Sequence, residues 1–239
     1  SDTANQSVIV SASPQLQFSV PSVCQGVPVT IANNTSITPN GTAMIYYWLF
    51  PGATPSISNL EDPTIIFNSA GLSQATLIVQ AQAGCTDTLS LPVNVNGHPI
   101  AAFSTPVICK GTTVILNNQS VPPVGGSISS NYWIANGAFP DNTTVTSPVF
   151  KFDSSGVFSV SLMVSTPAGC KDSVSQQVVV HENPVVLLPD QEKACVPFCH
   201  NFNGQASSID GAIVSWEWQF PGGDPSSSTL QNPGAVCYT

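Results

Sequence analysis

Apolar and polar residues alternate in short runs along most of the chain, and no stretch shows the three- and four-residue spacing of an amphipathic helix. The clearest run is Phe158, Val160, Leu162 and Val164, which period two places on one face of a strand. The same stretch holds Ala101 and Phe103, Val114 and Leu116, Tyr132-Trp133-Ile134, Val149-Phe150-Lys151-Phe152, and finally Val178 and Val180. Turn formers such as Pro122-Pro123-Val124-Gly125-Gly126 and Asn136-Gly137 separate these runs. About seven short strands in roughly 85 residues is the pattern of an antiparallel sandwich of immunoglobulin type. The sequence therefore predicts an all-β fold.

The pattern repeats. Trp48, Trp133 and Trp218 recur at steps of 85 residues, as do Pro14, Pro99 and Pro184, Gly41, Gly126 and Gly211, and Pro63, Pro148 and Pro233. Phe18 and Phe103, Gly26 and Gly111, Gly71 and Gly156, Cys24 and Cys109, and Cys85 and Cys170 share that step. A unit of this size is domain-sized, so the repeats read as tandem sandwiches. Residues 1–13 align with 86–98 and read as the last strand of a preceding repeat. Residues 14–98 form the first domain, 99–183 the second, and 184–239 the N-terminal part of a third. On this frame the sequence is a window on a longer array, and His98-Pro99 and Asn183-Pro184 pass from last strand to first almost without a linker.

Composition narrows the classes of function. Only 7% of residues are charged, against roughly 25% in an average soluble protein. There is no Arg, and the formal net charge is −9, so nothing neutralises a row of phosphates and nucleic-acid binding is excluded. A hydrophobic fraction of 42% suffices for a core. No run of eighteen apolar residues spans a bilayer, and the first residues lack the pattern of a signal peptide. A neutral polar surface with 17 Gly, 21 Pro and 7 Cys fits an extracellular β protein.

Cys24 to Cys85 and Cys109 to Cys170 both span 61 positions. That equal spacing predicts two intradomain disulfides, each worth roughly 4 kcal/mol on the chain-entropy account. In the third unit Cys195 falls one residue later than Cys109 predicts, with its partner outside the chain, and Cys199 and Cys237 are expected to pair with each other. A metal site built on Cys195, Cys199 and His200 is the rival account, though it lacks a second ligand pair. His200 aligns with Val29 and Val114, which predicts a partly buried core histidine.

Candidate chemistry is sparse. There is no phosphate-binding glycine loop, no Gly-Xaa-Ser-Xaa-Gly and no His-Glu-Xaa-Xaa-His. No catalytic residue, cofactor or metal is expected. His98 and His181 fall at domain junctions, and Glu61-Asp62 precedes Pro63 in an expected turn. Glu182 and Asp190 do not form a calcium loop. Trp48, Trp133 and Trp218 hold one strand position and read as core, with Trp216 on the same face. Tyr47 and Tyr132 point the other way and are the candidate exposed aromatics for a glycan or a neighbouring chain.

The run Trp216-Glu217-Trp218-Gln219-Phe220-Pro221-Gly222-Gly223-Asp224-Pro225, with Asn232-Pro233 and Cys237-Tyr238, resembles a PKD (polycystic kidney disease) domain. More narrowly, it resembles the form found in long secreted and surface proteins of Bacteroidetes. Weaker copies are Trp48-Leu49-Phe50-Pro51-Gly52 with Asp62-Pro63, and Trp133-Ile134-Ala135-Asn136-Gly137 with Ser147-Pro148. Gly-Cys-Thr-Asp-Thr at 84–88 and Gly-Cys-Lys-Asp-Ser at 169–173 also fit such arrays. The Gly-Asp-Gly of the commoner family core is absent. The resemblance implies PKD-type immunoglobulin-like sandwiches serving as extracellular stalks, spacers and adhesive surfaces, including type nine secreted and gliding-associated adhesins. Asp2-Thr3-Ala4, Asp87-Thr88-Leu89 and Asp172-Ser173-Val174 resemble the Asp-Ser/Thr-aliphatic O-glycosylation sequon of the same bacteria. Thr3, Thr88 and Ser173 are thus candidate glycan acceptors, the other reading being a family strand-entry feature.

The functional expectation is a non-catalytic repeat segment of a cell-surface protein, forming a semi-rigid stalk or fibre. Its partners would be neighbouring repeats of the same chain, with lateral self-assembly or surface glycans as further partners. The alternative is a spacer or glycan-binding module of a secreted polysaccharide- or protein-degrading enzyme.

Overall fold

A computed structural model describes residue 6 and residues 12–37, 44–187 and 194–239. Every regular element among them is a strand. The sequon at Thr3, the strand assigned to 1–13 apart from a few residues, and Asp190 lie outside the described residues.

The first sandwich has a five-stranded sheet in the order Val23–Cys24, Thr86–Asn96, Gly71–Ala81, Met44–Leu49, Ile57–Ser58. Facing it is a three-stranded sheet of Pro28–Thr30, Thr64–Phe67 and Ala53–Thr54, with Phe18–Ser19 paired to Ala32–Asn33. Among the described residues its pairings are antiparallel except one: Val23 and Cys24 run parallel to Val95 and Asn96. Alternation explains the core. In Gly71–Ala81 the residues Ala75, Leu77, Val79 and Ala81 point inward, and Val93 and Val95 do so from Thr86–Asn96. They meet Trp48, Phe50, Ile65 and Phe67, all at most 1% exposed. Phe18 stands edge-on to Trp48 at 5.0 Å, an arrangement that aligns ring edge with ring face. The indole N–H of Trp48 donates to the Leu60 carbonyl at 3.0 Å, so the buried ring keeps its one polar atom satisfied.

The second sandwich repeats this plan. Its sheets run Ile108–Cys109, Lys171–His181, Gly156–Ser165, Ser130–Ala135, Asn142–Thr143, and Thr113–Ile115, Val149–Phe152, Ala138–Phe139. Trp133, Phe150, Phe152, Val160, Leu162 and Val164 are fully buried. The same parallel pairing recurs, Ile108 with Val180 and Cys109 with His181. The cis peptides Thr54-Pro55, Phe139-Pro140 and Asp224-Pro225 mark one turn in three successive repeats.

The third repeat contributes Val185–Leu187 paired with Gln205–Ser207, Phe198–Phe202 with Gly234–Tyr238, and Trp218–Gln219 with Ser227–Ser228. Trp218 donates to the Leu230 carbonyl at 2.9 Å, as Trp48 does to Leu60. The architecture is that of tandem immunoglobulin-like β-sandwiches.

Two compact units divide the chain. The first comprises Ser1–Ala102, Gln119–Asn131 and Met163–Val174, so the tip of the Gly156–Ser165/Lys171–His181 hairpin belongs with the first sandwich. The second comprises Phe103–Asn118, Tyr132–Leu162 and Ser175–Thr239.

Candidate functional site

The disulfides correct the sequence reading. Cys24 is bonded to Cys170, both in the first unit, across 146 positions. The expected pairs Cys24–Cys85 and Cys109–Cys170 are not formed. Their exclusion follows from strand length. Cys24 stands opposite Asn96, the last residue of Thr86–Asn96, while Cys85 precedes the first residue of that eleven-residue strand. Eleven residues of strand span about 35 Å, whereas a disulfide needs Cα atoms within about 7 Å. Cys109 opposite His181 and Cys170 before Lys171 stand at the same two ends of the second sandwich.

The hairpin tip therefore meets the far end of the preceding sandwich. The Cys170 sulfur lies 3.8 Å from the Asn96 carbonyl oxygen. Asp172 accepts the Ala101 N–H at 2.8 Å. Gly97 packs so close to Pro123 that a Cβ on it would stand 2.7 Å from the Pro123 Cβ, so any side chain there displaces the proline. These contacts all fall within the first unit.

The corresponding place 85 residues on, in the second unit, is polar. Lys110 and Glu182 form an ion pair at 3.0 Å, and Ser155 donates to Glu182 at 2.7 Å. The Glu182 N–H donates to Asp210, whose carboxylate also lies 3.7 Å from His181 Nδ1. Asn183 donates from its side chain to the Lys110 carbonyl at 3.1 Å. The Ser155 hydrogen bond and then Lys110 hold the Glu182 carboxyl below the ordinary range.

Cys199 and Cys237 are bonded, opposite each other in register on the strand pair Phe198–Phe202/Gly234–Tyr238. In the second sandwich the comparable pair, Thr113 and Lys151, faces away from the core. The bond occupies Cys199, so the metal reading of Cys195, Cys199 and His200 loses a ligand, and among the described residues no group of three His, Cys, Asp or Glu converges. His200 lies opposite the buried Val236 and between the rings of Phe198 and Phe202. Cys85, Cys109 and Cys195 are outside disulfides, with Cys109 and Cys195 exposed.

The remaining sequence candidates scatter. Tyr47 and Tyr132 are exposed at equivalent positions, 48% and 38%. Tyr46 donates to Glu61 at 3.5 Å, and burial, then that carboxylate, raises its pKa. Asp62 accepts the Asn33 N–H at 2.8 Å, so the Glu61-Asp62 pair braces a turn. His98 Nδ1 lies 2.9 Å from the Pro99 carbonyl oxygen. Thr88 and Ser173 are exposed, each near the start of a last strand. Trp216 is half-buried and stacks on Trp218 at 6.5 Å, lining an open apolar groove of about 580 Å³ with Phe202, Phe220 and Tyr238.

No family model matches the chain, and no curated protein matches it. Among solved structures, the chain is similar to the PKD1 domain of the Vibrio cholerae metalloprotease PrtV, at 30% identity over 35% of this chain and 96% of that one, with a TM-score of 0.31. It is also similar to fibronectin(III)-like modules of Clostridium thermocellum CbhA, at 12% identity over 70% and 95%, TM-score 0.36. A third is the Bacteroides ovatus glucan utilization protein SGBP-B, in complex with a mixed-linkage heptasaccharide, at 11% identity over 93% and 70%, TM-score 0.28. All three superpose with TM-scores below 0.5, so the architecture rests on the chain's own strand order.

Proposed function

We propose that this chain is a non-catalytic, load-bearing segment of an extracellular protein, built from PKD-type repeats. The observation that carries the reading is the Cys24–Cys170 bond, which ties one sandwich to the hairpin of the next repeat. A tie of that kind resists extension across the two repeats, which suits a spacer under tension. Disulfides also belong to oxidising compartments, outside the reducing cytosol. On this reading the repeats serve as a stalk for an adhesive or gliding surface protein, and the exposed Thr88 and Ser173 hydroxyls are available for O-linked glycans. Intact mass spectrometry of native material checks the last point, a series of hexose-sized increments being the expected result.

Pulling single molecules by their ends tests the load-bearing role. With the bond intact, the 146 positions between Cys24 and Cys170 stay locked. Reduction should release roughly 500 Å of additional contour at about 3.4 Å per residue. Stretching at low force with no discrete unfolding events would rule the role out.

A second reading has one observation behind it. Tyr47 and Tyr132 are exposed at the same place in successive repeats, a spacing that would suit a repeating glycan. Binding of β-glucan oligosaccharides that is lost in the Tyr47→Ala, Tyr132→Ala double variant would favour a glycan-binding module.

A further inference from the structure

Cys24 and Cys109 occupy one structural position. Each ends a two-residue strand that runs parallel to the close of its sandwich's last strand, opposite Asn96 and His181 respectively. Each is followed by the same backbone bonds: Gln25 N–H to Asn96 and Gly26 N–H to Phe67, then Lys110 N–H to His181 and Gly111 N–H to Phe152. The bonded partner of Cys24 also has a counterpart. Cys170 sits in a tip closed by Thr166 N–H to the Cys170 carbonyl and Gly169 N–H to Thr166, with Gly169 at φ 84°. Cys85 sits in the same tip, closed by Ala81 N–H to Cys85 and Gly84 N–H to Ala81, with Gly84 at φ 88°. The first two repeats thus each carry one cysteine at one end and a Gly-Cys hairpin at the other, and the Cys24–Cys170 bond shows how the two kinds mate: end of one repeat to hairpin of the next.

We infer that Cys109 is a second staple site of the same kind, and that its partner is the Gly-Cys hairpin of another repeat docked on that end. The ion pair and hydrogen bonds around Glu182 leave Cys109 exposed, so the thiol is accessible there. The pairing rule is a separation of 146 positions, one period longer than the 61-residue spacing within a repeat. A repeated staple of this kind makes each junction of the array covalent on both sides of every sandwich.

Formation needs a disulfide donor, RSSR. The Cys109 thiolate attacks one donor sulfur, giving a mixed disulfide and one RS⁻. The hairpin thiolate then attacks the Cys109 sulfur and expels the second RS⁻. Two electrons pass to the donor, and the two thiol protons end on its two thiols.

The test is disulfide mapping with oxidised glutathione as donor, alkylation of remaining thiols, proteolysis without reductant and mass spectrometry. In a chain carrying a following repeat, the Cys109 peptide should be linked to a Gly-Cys hairpin peptide of that repeat while the protein stays monomeric. In the 239-residue chain, the hairpin comes from a second copy. That produces a ladder of oligomers on a non-reducing gel, which dithiothreitol collapses and Cys109→Ser reduces at least tenfold. The Cys24–Cys170 peptide should persist in Cys109→Ser, and unchanged tryptophan fluorescence confirms that this variant folds. A Cys109–Cys170 or Cys24–Cys85 peptide overturns the proposal. So does recovery of Cys109 only as alkylated thiol or glutathione adduct in both chains. The mapping succeeds or fails independently of the force measurement, which reads only the staple at Cys24.

Discussion

The end of the first sandwich around Cys24 and Gly97 and the end of the second around Cys109 and Glu182 share a backbone and differ in chemistry. Gly97 and Glu182 are equivalent, 85 residues apart. At the first, a glycine lets Pro123 come against the chain and a disulfide closes beside it. At the second, the Glu182 carboxylate gathers the Lys110 and Ser155 side chains, and the Glu182 backbone N–H donates to Asp210. The lesson is that the parallel strand pair supplies the frame, and the residue after it sets whether the junction is apolar and tight or polar and solvated. Exposed ion pairs are worth little, so the tight junction owes its strength to the covalent bond and the polar one would gain most from acquiring one.

The largest effect should separate the two cysteines. Cys24→Ser removes a cross-link worth up to about 5 kcal/mol when both sandwiches unfold together, and calorimetry should show a large fall in Tm. Cys109→Ser in the 239-residue chain should leave the Tm of the monomer unchanged, and an equal fall would erase the contrast.

Core truncation should act alike in the two sandwiches. Leu77 and Leu162 are equivalent and fully buried. Leu77→Ala and Leu162→Ala should each cost about 3 kcal/mol in urea titrations. A difference between them of more than about 1 kcal/mol would show that the sandwiches are not energetically interchangeable.

The tryptophans sharpen the comparison. Trp48 donates to Leu60, but the Trp133 indole N–H is buried without a partner. Trp48→Phe removes a hydrogen bond that is made, while Trp133→Phe removes an orphaned donor. Trp48→Phe should therefore be the more destabilising by about 1–2 kcal/mol, measured by the same titrations.

The smallest effect is the pH response of the polar end. The Glu182 carboxyl is held below its ordinary pKa, so its contribution is complete above that ordinary value and fades as pH falls through the lowered one. Glu182→Gln should flatten a shallow loss of stability on acidification, and Gly97, which carries no charge, should show no counterpart.

Much of this was legible in the sequence because alternation and the 85-residue step leave marks on every strand. Phe158, Val160, Leu162 and Val164 share a face as period two requires, with Phe158 partly buried and the other three inside. The tryptophan position and the exposure of Tyr47 and Tyr132 follow from the same parity. The disulfide at Cys24 was not legible by spacing, because a repeat gives equal intervals to every pairing that respects it. The usable signal was the run from Thr86 to Asn96. A strand that long puts Cys85 at the opposite end from Cys24, and pairing each cysteine within its own repeat was the assumption that hid the bond to Cys170. The orphaned Trp133 donor had no sequence signature, since Val145 offers the same carbonyl as Leu60 and only loop geometry decides whether it is reached.

The parallel pairing found in each of the first two sandwiches carries a mechanical consequence. Val23–Cys24 lies near the entry of the first sandwich and Val95–Asn96 at its exit. Two strands aligned in the same direction and drawn from opposite termini slide along one another, so their bonds are sheared together instead of being peeled one at a time. The Gln25 N–H to Asn96 bond and the Asn96 side chain's bond to the Val23 carbonyl sit across that shear plane. Under tension along the chain, that clasp at the margin would carry load ahead of the aromatic interior.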